Sequence, residues 1–268
     1  PDDPANAATP WGGRPYPVVD NEHGPTVLPF VAATSDLGLS WMRVALAVHP
    51  PPSANYSGRT YPIAVNGAPS PVRYDTVGGT SSVILSYTGA IGLRLGEAVD
   101  LGFAVHLVQA SLETRSVSYL DLTSSCRTLE SVACDGRDES KLTGWSATGS
   151  IGALFRLGAG ITAGVHVRGP VLLEATGEST STSPRALGGA AQAPTVMALR
   201  TALPVVVRAG VRKSFASGAD VEVDATYERW SDAQSPGPLA RFALLGTTKN
   251  ATVTLHHHYV DTFSVRAG

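Results

Sequence analysis

The 268-residue chain carries few charges for its length, with 16% Asp, Glu, Lys and Arg against the ~25% that is usual for a soluble domain. Its 22 acidic and 20 basic residues give a net charge of -2, which excludes the strongly basic surface of a nucleic-acid-binding protein. No stretch approaches the ~20 consecutive apolar residues of a transmembrane helix, so helical insertion into a membrane is excluded as well.

Alternating apolar and polar residues predict β-strands along most of the chain. Between residues 101 and 107 the odd positions are all apolar, whereas the even positions hold Gly102, Ala104 and His106. The same division recurs in later segments that begin at positions 161, 205 and 221. Nine long strands are predicted in this way, near residues 27–35, 41–49, 82–94, 98–112, 144–156, 160–172, 196–214, 219–230 and 250–266.

The connections between these strands alternate in length. Short turns are predicted around Gly38, Gly96, Gly158 and Gly218, which are 58, 62 and 60 residues apart. Long polar segments fill the intervals, near residues 50–80, 113–143, 172–195 and 232–249. An up-and-down barrel places all its short turns at one rim and all its long loops at the other, which a soluble sandwich has no reason to do.

The length of the predicted strands also favours a membrane barrel. They have about 12 to 15 residues, more than the ~9–11 that cross a bilayer. In lipid every backbone N–H and C=O needs a partner, which only a closed sheet provides. Aromatic residues near the strand ends suit interfacial girdles, with ordinary packing as the alternative; they are Trp41, Trp145, Phe215, Tyr227 and Trp230. The predicted fold class is all-β: an antiparallel up-and-down transmembrane β-barrel of a bacterial outer membrane, with short periplasmic turns and long extracellular loops.

Two cysteines, Cys126 and Cys134, lie eight residues apart in a polar segment. This spacing favours a small loop disulfide in an oxidising compartment, and two free thiols are the alternative. A zinc site would need two further soft ligands nearby, and the sequence offers none there. No metal and no cofactor are expected.

Charged and titratable residues on the predicted inward face are the candidate site. One hairpin holds Arg208, Arg212, Glu222, Asp224 and Glu228. The first interpretation is a lumenal network of ion pairs, because polar side chains inside a barrel need partners. The alternative is that Arg168 and Arg208 bind a substrate carboxylate. His106 and His166 occupy matching inward positions one repeat apart, as ligand-binding residues or as lumen fillers; a shared metal is disfavoured because another strand lies between them.

Leu203-Pro204 opens one predicted strand, and Tyr227-Glu228-Arg229-Trp230-Ser231 closes the next. This stretch is the most specific of several that resemble, in order, the FadL/TodX family of outer-membrane channels for long-chain fatty acids and aromatic hydrocarbons, and it is similar to a late-barrel hairpin of that family. Looser similarities are Ala47-Val48-His49-Pro50-Pro51, Gly144-Trp145-Ser146, the segments 149–156 and 166–171, and Asp261-Thr262-Phe263-Ser264-Val265-Arg266-Ala267-Gly268.

The sequence departs from the family pattern in two ways. The family has a fourteen-stranded barrel and an N-terminal plug with an Asn-Pro-Ala signature, and no such tripeptide occurs here. Bacterial barrels of this kind have an even number of strands, and nine is odd. We therefore expect residues 1–268 to be one incomplete, truncated outer-membrane barrel domain, with the plug and the C-terminal strands not seen.

The resemblance implies passive uptake of hydrophobic small molecules: capture at the outer loops, passage into the lumen, and exit sideways through a strand defect. Gly89 and Gly92 are the residues most expected to interrupt a strand. The expected partners are the hydrophobic substrate and the lipid and lipopolysaccharide of the outer membrane, with no nucleic acid, and the chain is expected to be a monomer.

Other functions remain open. One is a different outer-membrane barrel, a porin or an adhesin; a lumen lined mainly by apolar and small residues would count against the porin. Another is a secreted β-sandwich binding module, which would be soluble without detergent. No catalytic triad order, nucleophile elbow, phosphate loop or pair of carboxylates stands out, so the chain is not expected to be an enzyme.

Overall fold

The computed structural model describes residues 18–20, 22, 29–51, 62, 64–66, 68–70, 72, 82–119, 131–234, 240–244, 247–253 and 259–268. Within them lie the strands β1 (Val31–Ser35), β2 (Met42–His49), β3 (Ala64–Val65), β4 (Ala68–Pro69), β5 (Val83–Leu95), β6 (Val99–Tyr119), β7 (Asp135–Gly158), β8 (Ile161–Arg168), β9 (Val171–Thr182), β10 (Thr195–Leu203), β11 (Val205–Ser214), β12 (Asp220–Arg229), β13 (Ala240–Leu244), β14 (Thr247–Val253) and β15 (Thr262–Ala267). Short 3-10 helices span Val132–Cys134, Arg185–Leu187 and Trp230–Gln234. Over these ranges, no helix is long and apolar enough to cross a membrane.

Most strands belong to one antiparallel wall, in the order β1-β2-β5-β6-β7-β8-β11-β12-β15. The alternation predicts nine strands as well, but the predicted strand 250–266 corresponds in the wall to β15 alone, because β14 pairs with β13 in a separate sheet. β9 branches from the wall, pairing with β10 on one side and with the far part of β7 on the other. Across the ranges given above, β1 and β15 are the two ends of the wall. The predicted up-and-down antiparallel topology is confirmed.

The predicted tight turns connect β1 to β2, β5 to β6, β7 to β8 and β11 to β12. Gly38 has φ 77° and Gly218 has φ 85°, a conformation that a Cβ atom disfavours. Because neighbouring strands are antiparallel, all four turns lie at one end of the wall, called here the turn end. The opposite end is called the loop end.

The two predicted faces are confirmed as well. On β6, Val105 points outward and is 62% exposed, whereas His106 points inward and is 9% exposed. The register carries this division to the next strand, where Ile151 of β7 faces Phe103 and is 58% exposed. The wall therefore has an apolar outer face and an inner face of small and polar residues.

Two predicted loops contain strands, which is a correction. β6 and β7 have 21 and 24 residues and extend far into the predicted loop 113–143. The predicted loop 172–195 contains β9, which pairs with β10 as a hairpin. Ser, Glu, Asp and Gly are frequent in these segments, so their composition does not favour strands. Pairing with a long neighbouring strand supplies the context that composition lacks.

Two prolines divide strands that the sequence predicts as continuous, 160–172 and 196–214. The register is the same for the pair Arg168 and Val206 and for the pair Val171 and Leu203. In that register Pro170 and Pro204 fall opposite each other. Proline has no N–H to donate to the ladder, so pairing stops at this level and resumes beyond it.

Two apolar clusters lie on the inward face at the loop end. We call the first the mouth cluster, formed by Val108, Val171 and Leu203 with Ile84 and Trp230 packed against them. We call the second the extension cluster, formed by Leu142, Ala175 and Met197 with Leu112 and Leu199 packed against them. The extension is the part of β6, β7, β9 and β10 that continues beyond the mouth cluster.

Candidate functional site

A row of polar side chains crosses the inward face just below the mouth cluster. His49 of β2, Thr88 of β5, His106 of β6 and Ser150 of β7 form this row, which we call the polar belt. Thr88 and His106 are direct partners in the register of β5 and β6. The belt thus connects four neighbouring strands of the wall.

The belt is a continuous chain of hydrogen bonds. Thr88 Oγ1 lies 3.0 Å from His49 Nε2 and 2.8 Å from His106 Nδ1. His106 Nε2 lies 2.9 Å from Ser150 Oγ. The two imidazole rings meet edge to face, with centroids 6.3 Å apart. Since a neutral imidazole has one donor and one acceptor nitrogen, and a hydroxyl can do both, the chain is satisfied with both histidines neutral.

Arg168 lies next to the belt, opposite Val206 of β11, and is 5% exposed. Its Nη2 lies 3.5 Å from the carbonyl oxygen of Pro204. The carboxylate of Glu228 interacts with its charge. Glu228 also accepts a 2.9 Å hydrogen bond from Trp230 Nε1. A buried guanidinium needs such a counter-charge.

Directly below the belt, toward the turn end, the inner wall of β5 and β6 holds alanine and then glycine, and the inward residue of β2 beside the glycines is Arg43. We call this surface the small-residue patch: Ala45, Ala90 and Ala104 in one row, and Gly92, Gly102 and Gly152 in the next. A cavity of about 430 Å³ lies against the patch and is also bordered by His106, Ser150 and His166.

His166 ends the lower row of the patch, facing Gly152 of β7 on one side and Arg208 of β11 on the other. It is half-buried and borders both the cavity at the patch and a larger one of about 830 Å³ toward the turn end. Among the residues that the structure describes, the side chains of His166 and Arg208 have no hydrogen-bond or ion-pair partner. Both are therefore available to a ligand.

The predicted lumenal charges of β11 and β12 divide between two levels. Glu228 lies at the level of the belt, whereas Arg212, Glu222 and Asp224 lie near the turn end. Arg212 faces Glu222 in the register, but its ion pair is with Asp220. The hairpin thus contributes to two separate groups of charges and not to one network.

The two predicted histidines do not meet, since β7 lies between β6, which carries His106, and β8, which carries His166. The part of the chain that the structure describes contains no group of three or more His, Cys, Asp or Glu that could hold a metal ion. Cys134 is buried and disulfide-bonded. Cys126 lies outside the described residues, so its pairing with Cys134 stays a prediction.

The aromatic residues at the loop end fall into two groups. Tyr87 and Trp145 stack on the outward face with ring centroids 5.8 Å apart, and Tyr87 donates a 2.9 Å hydrogen bond to Gln109. Trp230, in contrast, packs against the mouth cluster. Of the two interpretations, a girdle and ordinary packing, the structure favours packing for Trp230, because its indole packs against the mouth cluster and donates to Glu228.

No family model and no curated protein matches the chain. Among solved structures, it is similar to a Pseudomonas aeruginosa FadL homologue, with TM-score 0.65 and 14% identity over 89% of this chain. The CymD monoaromatic hydrocarbon channel gives TM-score 0.60 and 14% identity over 93% of this chain. The P. putida toluene transporter TodX gives TM-score 0.61 and 17% identity over 93%.

The chain has the FadL/TodX fold. It spans 55% of the length of the FadL homologue and 66% of CymD and of TodX. The resemblance read from the sequence is thus confirmed at the level of fold.

Within this FadL/TodX fold, the prediction that Gly89 or Gly92 interrupts a strand was wrong. β5 pairs with β2 and β6 without a register shift through both glycines, because neither requires a positive φ and both tolerate regular pairing. The ladder changes instead beside β7, where it stops at Ser150 opposite Arg168 and resumes at Gly144 opposite Ala175. The interruption therefore coincides with Pro170.

His49, Thr88 and Ser150 are site residues that the sequence analysis missed. Each is a common residue in a strand, and none stands out without its neighbours. The signal was available in the predicted turns, because pairing the strands outward from each turn glycine places Thr88 opposite His106. The contact of Thr88 with His49 could be identified only from the structure, because β2 and β5 are not consecutive strands.

Proposed function

We propose that the chain belongs to an outer-membrane channel for passive uptake of hydrophobic small molecules, such as long-chain fatty acids or aromatic hydrocarbons. The observation that carries this proposal is the inner wall, where the apolar mouth cluster leads to the small-residue patch. Apolar molecules favour such a surface because binding removes apolar area from water. The similar structures include one described as a monoaromatic hydrocarbon channel and one described as a toluene transporter, which supports the same class of substrate.

The alternatives fit less well. A porin for polar solutes would be lined by polar residues facing water, whereas Ala and Gly line the patch. A soluble β-sandwich would hide its apolar face, whereas Val105 and Ile151 are 62% and 58% exposed on the outer face. A lipid environment accounts for that exposure.

The substrate path runs from the mouth cluster past the belt to the patch. His106, His166, Arg168 and Arg208 line this path as ligand-binding residues, and Arg212, Glu222, Asp224 and Glu228 serve as structural charges of the lumen. A sideways exit into the bilayer is supported by the interruption of the ladder at Pro170. Passage needs no covalent chemistry and no cofactor, so the protein is not an enzyme.

Residues 1–268 form part of a single barrel domain that acts as a monomer in the bacterial outer membrane. In a bilayer the edges of β1 and β15, which end the wall within the described ranges, would need strands to pair with them. Outward ion pairs at the loop end, such as Arg200 with Glu174, suit contact with lipopolysaccharide head groups. Nucleic acid has no role.

Uptake by cells tests the channel directly. Cells with and without the gene would be given radiolabelled oleate, toluene and, as a porin control, a radiolabelled disaccharide. Faster uptake of oleate or toluene with the gene, and unchanged disaccharide uptake, is the expected result. No difference for any hydrophobic substrate would refute the proposal. Faster disaccharide uptake alone would favour the porin.

Solubility distinguishes the membrane channel from a secreted β-sandwich. The native protein is expected in the outer-membrane fraction and to leave it only with detergent. Recovery in the soluble fraction would favour the secreted β-sandwich.

A further inference from the structure

The inner wall changes in character between the loop end and the turn end. At the mouth cluster the buried side chains are apolar, and Val108 and Val171 are each 1% exposed. From the row of Gly92 to the turn end, most of the long inward side chains are charged. Among the residues that the structure describes, they are Arg43, Arg94, Asp100, Arg156, Arg208, Arg212, Asp220, Glu222, Asp224 and Arg266. We call this surface the charged vestibule.

The charges of the vestibule are accessible. Asp100 lies between two guanidinium groups: it pairs with Arg156, and its Oδ1 lies 3.5 Å from Arg94 Nε. The side chains of Arg94 and Arg156 are nevertheless 48% and 35% exposed. A cavity of about 830 Å³ lies against this wall and is bordered by charged residues of β6, β11 and β12. Charged groups with so much accessible surface remain hydrated, because losing water is unfavourable for them.

Ion pairing does not neutralise the vestibule. Arg212 pairs with Asp220. Arg94 and Arg156 share the single carboxylate of Asp100. Among the charged residues named above, arginines outnumber the acids, so carboxylates of this set cannot balance every guanidinium group. The surplus charge is another reason for this end of the lumen to contain water.

Water around these charges opposes an apolar ligand. A hydrocarbon in the vestibule would displace that water and offer no hydrogen bond in return, so each charged group that it covers would be left unsatisfied. At the mouth cluster the same ligand only removes apolar area from water, which is favourable. The two ends of the inner wall therefore have opposite preferences for a hydrocarbon.

We propose that the charged vestibule is a water-filled compartment that excludes hydrocarbons, and that its charged side chains are specificity-determining residues that confine an apolar ligand to the loop-end part of the lumen. The boundary lies between the row of Ala104 and the row of Asp100, which are about 14 Å apart along β6. Arg168 and Glu228, nearer the mouth, do not form part of this barrier, because each has the opposite charge close to it. The inference rests on the proposed channel function, since it states how far the substrate of that channel can go.

Fluorescence quenching at two levels of the inner wall tests the inference in the vesicle-embedded protein. A thiol-reactive bimane label would be attached to Ala104→Cys or to Leu154→Cys, with the unsubstituted chain as the labelling blank. Iodobenzene is the apolar quencher, and iodide is the quencher that stays in water. Because covering one polar group without a hydrogen bond is enough, iodobenzene should quench the label at 104 about 10-fold more strongly than the label at 154. Iodide should show the reverse order.

Removing charges beside the second label tests which residues set the boundary. Asp100 faces Leu154 in the register of β6 and β7. The triple variant Arg94→Leu, Asp100→Leu and Arg156→Leu replaces one group of ion-paired side chains with apolar ones. Quenching of the label at 154 by iodobenzene should rise several-fold toward its value at 104, and quenching by iodide should fall.

A matched control removes an ion pair outside the lumen. Arg200→Leu with Glu174→Leu deletes the outward pair of the extension and should leave both labels as in the wild type. A label at Ile151→Cys, on the outer face, should be quenched by iodobenzene to the same degree in every variant that has folded and inserted. If the triple variant does not insert, the order of the two labels in the wild type decides the inference by itself.

The outcomes distinguish the barrier from the channel. Equal quenching by iodobenzene at 104 and 154 in the wild type, or stronger quenching at 154, overturns the inference and leaves the channel in place. Quenching by iodobenzene at neither inward label means that no hydrocarbon enters the lumen, which refutes the channel as well. An inserted triple variant with unchanged quenching at 154 overturns the assignment of these three side chains to the barrier.

Discussion

β6 and β7 pass through two regions with opposite arrangements of side chains. Up to the stacked pair Tyr87 and Trp145, outward residues are apolar and inward residues are small or polar. In the extension, outward residues are charged and inward residues are apolar: Lys141 is exposed, whereas Leu142 points inward and is 1% exposed. The register of β6 and β7 is unchanged throughout. One continuous ladder thus serves two environments.

The reversal indicates the level at which the surroundings of the strands change. A strand that leaves a bilayer should exchange an apolar outer face for a charged one, with aromatic residues at the boundary. Tyr87 and Trp145 occupy that level. Beyond it, the extension folds as a water-exposed sheet would, with its own apolar cluster inside.

The largest expected effect comes from the interior of the extension. Leu142→Ala removes a side chain that is 1% exposed and should lower the stability of the extension by about 2–5 kcal/mol. Hydrogen exchange of the amides in β7 and β9 would measure it. Lys141→Ala, the neighbour on the opposite face, is the control and should stay within about 0.5 kcal/mol. Equal effects would mean that Leu142 is not part of a packed core.

The next effect tests the outer face between the level of Tyr87 and Trp145 and the turn end. Ile151→Arg places a charge on the apolar face and should cost about 2–4 kcal/mol of folding free energy in lipid vesicles. Thr143→Arg, on the outward face of the same strand within the extension, should cost little because water can hydrate the guanidinium. Urea titration of the vesicle-embedded protein gives both values. A costly Thr143→Arg with a harmless Ile151→Arg would invert the comparison.

A smaller effect is expected from a substitution in the polar belt, which lies on the turn-end side of the stacked pair Tyr87 and Trp145. His106→Leu removes the hydrogen bonds to Thr88 and Ser150 and leaves two hydroxyl groups with fewer partners, for about 1–3 kcal/mol. Thr148→Val is the control, since Thr148 faces His106 in the register but takes no part in the belt. The same urea titration applies. If the two variants lose equal stability, the belt contributes nothing beyond ordinary packing.

Much of the wall could be predicted from the sequence because its signals are local. Glycine at a tight turn and strict alternation on β6 depend on neighbours within a few residues, and both were predicted correctly. Strand β9 could not be, since its Thr, Ser and Glu residues resemble a loop until the long strand β7 pairs with them. That Pro170 and Pro204 fall opposite each other could not be predicted either, because it depends on the register between the two strands.

The candidate site was predictable in its individual residues and not in its contacts. His106 and Arg168 were assigned to the inward face from alternation alone. That Thr88 links His49 to His106 depends on two registers at once, between β2 and β5 and between β5 and β6. The small-residue patch could not be predicted either, because it depends on the registers of several strands. A single glycine in a strand usually indicates only easy packing.

Spin-label accessibility along β7 tests the reversal most directly. Single labels would replace outward residues 141, 143, 145, 149, 151 and 153 in turn, in the vesicle-embedded protein, with collision rates measured for oxygen and for a water-soluble nickel complex. Labels at 149, 151 and 153 should collide mainly with oxygen, and labels at 141 and 143 mainly with the nickel complex, with the change near Trp145. High nickel accessibility at all six positions would contradict a membrane-spanning wall.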